Sequence, residues 1–329
     1  MKKVAAYILV MIFAVLVLPL IIVKGCNFSK EALIPDEDTG EELVVRVFLA
    51  EENEIVDMDI EEYTKGVVAA EMPAEFELEA LKAQAVAART FTYARMNGMF
   101  LPADNPHKDA DVCTDHTHCQ AYITKEQAML EWGSKGQEYW DKIEAAVNST
   151  HNIIITYNNQ IVNPVFHSNS GGRTENVEEV WVCDPFPYLK SVESYGEENG
   201  ENFYNYLVIS DEEFKNTLVE RYPGIIIGNN DILTYIKTLE FSQGGRVKYI
   251  RIGNITMKGT EFRDLFSLKS TNFQIERKDN NSIRITTIGY GHGVGMSQWG
   301  ADYMAEEGST FEEILKHYYI GTLLNVISK

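Results

Sequence analysis

The sequence predicts an α+β fold: mixed helices and antiparallel strands forming a groove-bearing domain with a smaller inserted α+β subdomain, preceded by one transmembrane helix. Three observations predict it. Segments of helical and strand period alternate without the regular strand–helix–strand spacing of a doubly wound sheet. Helix starts and stops are marked by capping and proline signals. A hydrophobic content of 45% over 329 residues is enough for one large core or two modest ones. The formal net charge of −20 argues against nucleic acid and anionic lipid surfaces as partners.

Lys2 and Lys3 precede an uncharged run from Val4 to Val23, about 20 residues, the length that spans a hydrocarbon core. Leading lysines keep the N-terminus cytoplasmic and send the rest of the chain across. A cleaved signal peptide would end in small residues. Here the run ends Ile21-Ile22-Val23-Lys24-Gly25-Cys26, so an uncleaved anchor is expected. Residues 1–25 are then a cytoplasmic stub and anchor. Residues 26–42, polar and acidic with Pro35 and Gly40, are a linker, and 43–329 are the folded domain, with 191–287 a possible subdomain.

Leu43 to Leu49 and Glu54 to Met58 form two strands joined at Ala50 to Asn53. Asp59-Ile60-Glu61-Glu62 opens a helix running to Glu71, which Pro73 ends by disfavouring helical geometry at Met72. A second helix runs from Glu75 or Glu77 to Met96. Its buried stripe is Leu78, Leu81, Ala85, Ala88 and Thr92, with Lys82 and Arg89 together on another face. A third runs from Ser134 to about Ser149. Ile153 to Tyr157 and Ile161 to Phe166 make a hairpin turning at Asn158-Asn159. Ser191 to Thr287 mixes strands and short helices without a motif. A glycine-rich loop from Gly289 feeds a helix at Ser297, and Ser309-Thr310-Phe311-Glu312 caps a last helix towards Tyr319.

Glu71 is the outstanding carboxylate. The carbonyl end of its helix and burial beside Val67, Val68 and Met72 both favour the protonated acid, the form that donates to a departing glycosidic oxygen. The plain alternative is a surface glutamate paired with Lys82 or Arg89. His107, Cys113, His116, His118 and Cys119 fall within thirteen positions. Thiolate and imidazole together are the tetrahedral zinc set, and closed four-ligand sites are structural. A Cys113–Cys119 disulfide is the alternative. Cys183 reads as a buried apolar residue and Cys26 as a thiol at the membrane edge.

His167-Ser168-Asn169-Ser170-Gly171-Gly172 places small polar groups on a turn after a strand, where glycines let backbone approach a sugar. No base is oriented onto a serine there. The loop Gly289-Tyr290-Gly291-His292-Gly293-Val294-Gly295 matches neither a dinucleotide fingerprint nor a P-loop, and it brings His292 and Gln298 towards the groove. No H-E-x-x-H occurs.

The segment Val67 to Phe91, the segment Val165 to Glu175 and the segment Gly291 to Ala301 together resemble the stage II sporulation protein D family of lytic transglycosylases. The resemblance runs from about Leu43 to the C-terminus. It implies a membrane-anchored enzyme of sporulation and engulfment. Such an enzyme cleaves the N-acetylmuramic acid–N-acetylglucosamine bond of peptide-stripped peptidoglycan, leaving 1,6-anhydro ends, with Glu71 as the single acid and base. It implies substrate contacts at Lys82, Gln84, Arg89, His167, Ser168, Ser170, His292 and Gln298. A pattern in some members falls on His107, Cys113, His118 and Cys119 as zinc ligands, leaving His116 as the spare. Implied companions are stage II sporulation proteins P and M. The implied location is the mother-cell septal or engulfing membrane, with the N-terminus cytoplasmic and the catalytic domain outside. The alternative is a non-catalytic glycan-binding enhancer of a cell-wall amidase, as relatives in the same superfamily are described.

Overall fold

The computed structural model describes residues 43–101, 107, 109–183, 185–200, 203–228 and 230–327. The expected anchor over Val4–Val23 and the linker to residue 42 lie outside them, as does Cys26. Among the described residues no helix is long and apolar enough to cross a membrane.

The chain enters through β1 (Val44–Leu49) and β2 (Glu54–Asp59), paired antiparallel, with β3 (Val112–Cys113) added parallel to β1. Asp59 then caps α1 (Ile60–Glu71), its side chain accepting from the Glu61 and Glu62 amides. Helix α2 (Leu78–Met96) packs against α1, α4 (Gly136–Asn148) and β4 (Ile153–Tyr157). It is not the amphipathic helix the sequence implied. Gln84, Arg89, Thr90 and Thr92 are buried along with its apolar residues. Six alanines among its buried positions keep it slim enough for neighbours to close in on every side.

A separate helix, α3 (Lys125–Trp132), precedes α4 and has a reciprocal capping box between Thr124 and Gln127. The Asn158-Asn159 turn has positive φ at both residues (50° and 61°), as a tight hairpin requires. Its return strand, β5 (Gln160–Ile161), is only two residues long. The chain then leaves to form β6 (Phe166–His167), paired parallel with β13 (Met296–Ser297). After the short α5 (Val177–Val180), the segment with no readable motif, which includes α6 (Asp211–Arg221) and α7 (Gly259–Leu265), carries its own hydrophobic cluster around Phe214, Phe262, Phe266 and Phe273. That cluster is enclosed by sheets of β7 (Tyr204–Ser210), β11 (Phe273–Asp279) and β12 (Ser282–Ile288), and of β8 (Ile236–Phe241), β9 (Val247–Ile252) and β10 (Ile255–Lys258). Beyond β13, α8 (Gln298–Glu306) and α9 (Phe311–Tyr318) pack on α2, and β14 (Leu323–Val326) pairs with β4.

Candidate active site and metal centre

Glu71 is the last residue of α1, and Met72 has already left helical geometry at φ −129°, ψ 135°, as the following proline demands. Its half-buried carboxylate accepts a hydrogen bond through Oε1 from the Ala121 backbone N–H at 2.7 Å. Burial pushes this carboxyl above its ordinary range, against smaller downward pulls from the Ala121 bond and from His116. Ala121 reaches it because Gly66 of α1 carries no side chain. A Cβ at Gly66 would sit 2.3 Å from the Tyr122 ring. Instead that ring stacks on Tyr63, with centroids 5.5 Å apart, and the Ile123 amide bonds the Gly66 carbonyl at 3.2 Å.

Glu71 opens onto a cavity of about 710 Å³, within the usual range for small-molecule sites. Of the residues expected at the site, Glu71, His167, Ser168, His292 and Gln298 line this cavity together. Trp132, Tyr290 and Trp299 also line it and supply flat apolar faces. Trp181, 40% exposed, lies against His292 with ring centroids 4.9 Å apart. His116, read as a spare metal ligand, instead lines the cavity, as does Gln120. Both histidines opposite are held neutral. Burial, then His292 and Arg246, push His167 well below its usual range. Burial, Arg263 and Arg246 push His292 down to about 3.

The structure does not bring Lys82, Gln84, Arg89 or Ser170 to the cavity lining. Lys82 pairs with Glu79 at 2.7 Å. Gln84 lies beneath the lining, its Oε1 3.5 Å from the Gln298 amide nitrogen. Arg89 belongs to the core. Fully buried, it meets Glu61 through both Nε and Nη2 and also donates to the Val147 and Ile153 carbonyls. A guanidinium with five fixed donors can be buried when carboxylate and carbonyls surround it, and here it ties α1, α2, α4 and β4 together. Ser170 donates to both oxygens of Glu197 at 2.9 and 2.8 Å.

Glu197, from the stretch without a motif, is a hub. It is buried and accepts from the amides of Ser170 and Gly172 and the hydroxyls of Ser170, Ser194 and Ser297. It therefore clasps the turn after β6 to the start of α8. Gly291, with φ 115°, lies over His167, where a Cβ would come within 2.8 Å of the histidine Cβ. No side chain fits that approach.

His107, Cys113, His118 and Cys119 converge, with one donor atom from each lying within 4.8 Å of the others. Zinc bond lengths of about 2.0–2.3 Å give tetrahedral edges of about 3.3–3.8 Å. The separations are 3.1 Å between His107 Nε2 and His118 Nδ1, 3.4 and 3.3 Å from His118 Nδ1 to the two sulfurs, and 3.5 Å from Cys119 Sγ to His107 Nε2. His107 Nδ1 lies 3.3 Å from the Ala110 carbonyl, which accepts the Nδ1–H bond and leaves Nε2 without a hydrogen for a ligand bond. No disulfide joins the two cysteines. The hydrogen bond from Cys119 pushes the Cys113 thiol down, and the same contact pushes Cys119 up. A dication would stabilise both as thiolates. These donors fit zinc. Cys183, expected to be buried, is exposed.

A family profile described as stage II sporulation protein matches residues 50–157. Stage II sporulation protein D of Bacillus amyloliquefaciens is 36% identical over 326 residues, covering 95% of this chain and 91% of its own. Stage II sporulation protein D of Bacillus subtilis (strain 168) is 34% identical over 345 residues, 99% of this chain and 96% of its own. The amidase enhancer of the same organism is 29% identical over 310 residues, 79% of this chain and 40% of its own. On likeness that runs nearly end to end, this chain belongs to the stage II sporulation protein D family of sporulation proteins.

Proposed function

We propose that the protein is a membrane-anchored lytic transglycosylase acting on peptide-stripped peptidoglycan strands, with Glu71 as its single acid and base. The observation that carries this reading is a half-buried carboxyl, held above its ordinary range, opening onto an aromatic-lined cavity. Protonated Glu71 gives its hydrogen to the bridging oxygen as the bond to the anomeric carbon of N-acetylmuramic acid breaks. The 6-hydroxyl of the same sugar forms the new bond to that carbon, and the Glu71 carboxylate takes the hydroxyl proton. The acid is regenerated and no water is consumed. Hydrolysis by the common routes needs two carboxylates across the scissile bond. Glu75, the other carboxylate on the lining, is exposed and holds a hydrogen bond from the Tyr139 hydroxyl at 3.0 Å.

His107, Cys113, His118 and Cys119 would hold zinc as a closed structural site. Bound there, the ion supplies a cross-link two residues from Ala121, bracing the wall that carries the Glu71 bond. The N-terminal run would anchor the chain with the folded domain outside, at the septal or engulfing membrane. Stage II sporulation proteins P and M are the proposed companions.

The test is digestion of peptide-free glycan strands with the purified full-length protein. Mass spectrometry is expected to find anhydro-muramic ends. Glu71→Gln is expected to lower their yield by about 10²–10⁴, the usual contribution of a general acid. Reducing ends would mean hydrolysis. Likeness to the amidase enhancer supports a second reading, glycan binding without cleavage. Retained binding with no product from the unmodified protein would select it.

A further inference from the structure

The two histidines facing each other in the cavity, with ring centroids 5.4 Å apart, are both set by one residue, Val294. The Val294 carbonyl lies 3.1 Å from His167 Nδ1, so that nitrogen carries the proton and donates it. The Val294 N–H donates to His292 Nδ1 at 3.1 Å, so that nitrogen is bare and the His292 proton sits on Nε2, with a hydrogen bond to the Phe166 backbone also acting on the ring. The backbone of one residue, through its N–H and its C=O, thus imposes opposite tautomers on two neighbouring rings. His292 has its hydrogen-bonding capacity filled by protein. His167 does not. Its Nε2 is buried, has no partner and belongs to a side chain that is 5% exposed and lines the cavity. A buried nitrogen lone pair left without a donor costs free energy that a ligand can recover.

We propose that His167 Nε2 is a fixed acceptor that receives a hydrogen bond from a neutral donor of the bound sugar, an O–H or an acetamido N–H. This rests on reading the cavity as a glycan groove, and it gives His167, already expected to contact the sugar, a defined polarity. The ring is held rather than merely placed. β6 pairs with β13 at Ser297, and Gly291 closes over its Cβ. An uncharged acceptor suits this work. It does not compete with Glu71 for the transferred proton, because burial, His292 and Arg246 keep it unprotonated. Its role is therefore to orient the ring that reacts at Glu71, not to move a proton.

The experiment is nitrogen-15 NMR of the full-length protein in detergent, labelled at histidine, with the N-acetylglucosamine tetramer as probe. In the free protein His167 is expected to show a protonated Nδ1 and a bare Nε2 from pH 5.5 to 8. Tetramer is expected to move the Nε2 resonance in the direction of hydrogen-bond acceptance. His167→Asn keeps a donor near the Nδ1 position and removes the acceptor, and should weaken tetramer binding about tenfold, or about 1.4 kcal/mol. His167→Gln, whose carbonyl reaches the Nε2 position, should recover part of that loss. A proton on Nε2 in the free protein, an Nε2 resonance unmoved by saturating tetramer, or unchanged affinity in a folded His167→Asn would each overturn the assignment. Any of these alongside continued formation of anhydro ends leaves the transglycosylase reading standing and removes only this residue's role. Failure of the unmodified protein to bind tetramer at all removes both.

Discussion

Substituting Gly66 with alanine should change the acidity of Glu71 without touching it. The new Cβ would stand 2.3 Å from the Tyr122 ring and 2.8 Å from the Ile123 carbonyl oxygen. Helix α1 is held by Tyr63 and Val67 in its own core cluster, so the segment 121–123 is the part that moves. Overpacking of this kind costs about 1–3 kcal/mol of stability. The larger consequence is local, because the moving segment carries the Ala121 N–H that donates to Glu71 at 2.7 Å. A hydrogen bond to a charged group contributes about 1.5–3 kcal/mol, so its loss should raise the Glu71 pKa by about 1–2 units. The sign follows from what the bond stabilises, the ionised carboxylate. With the bond gone, burial acts unopposed except by His116, and the carboxyl rises further.

The assay is the pH dependence of anhydro-product release from glycan strands. An acid that must be protonated to act gives a plateau at low pH and a decline above its pKa. The decline in Gly66→Ala should therefore begin at higher pH than in the unmodified protein, by about 1–2 units. Were zinc held by the proposed Cys/His site, chelation would be an independent route to the same bond, since Cys119 lies two residues before Ala121. If both act through that bond, chelator added to Gly66→Ala should produce little further shift. A decline that stays in place or moves to lower pH in a folded Gly66→Ala protein would refute the reasoning.

Three further outcomes follow from buried polar groups away from the cavity. Asp302 accepts from the Glu77 N–H at 2.7 Å, and burial pushes its carboxyl from 3.8 up to about 6, with Glu306 and Glu77 adding to the rise and Lys142 opposing it. A carboxyl raised in the folded state favours folding at low pH and loses that contribution as pH climbs between those two values. Asp302→Asn should thus raise stability in urea melts at pH 7.5 by up to about 3 kcal/mol and leave it unchanged at pH 3.5. Glu197→Ala strands two amides and three hydroxyls and should cost about 3 kcal/mol or more in the same melts. Arg89→Met leaves Glu61 buried alone and should cost about 3–5 kcal/mol. Adding Glu61→Leu should restore most of it, and tetramer affinity per folded molecule should stay constant, which a substrate contact at Arg89 would not allow.

Local structure was legible where a side chain acts on its own backbone. The Asp59 cap, the stop at Met72, the Asn158-Asn159 turn and the Ser297 and Thr310 caps each depend on a few adjacent residues. Helix α3 carried an equally local sign, Thr124 three before Gln127, and could have been found. Polarity was a poorer guide. Arg89 reads as a surface cation because most arginines are, and only the fold brings Glu61, Val147 and Ile153 around it. Glu197 sits in a stretch with no motif because its partners lie up to 100 residues away. For the metal set, composition in one short loop sufficed to nominate five residues. The choice of His107 over His116 came from the family resemblance, and the structure brings His107 together with Cys113, His118 and Cys119. The Ala121 bond had no sequence sign at all, since every residue but proline offers the same N–H.

Taken with that bond, the burial of the cavity's ionisable groups has one direction. Glu71 is pushed towards its protonated form, and His167 and His292 are pushed towards theirs without charge. The protein as a whole carries a net charge of −20, yet the walls facing the reacting bond are biased to neutrality. A closed site of two thiolates and two neutral imidazoles around a dication would preserve this, because its charges cancel. A metal held by fewer thiolates would not, since it would leave net positive charge near Glu71 and draw the proton off the group that must donate it. The ligand set and the acid therefore make compatible demands. In the proposed reaction, a zinc-filled loop would tighten the Ala121 bond and so trim the acidity that burial sets, and would leave the proton on Glu71 for the glycosidic oxygen.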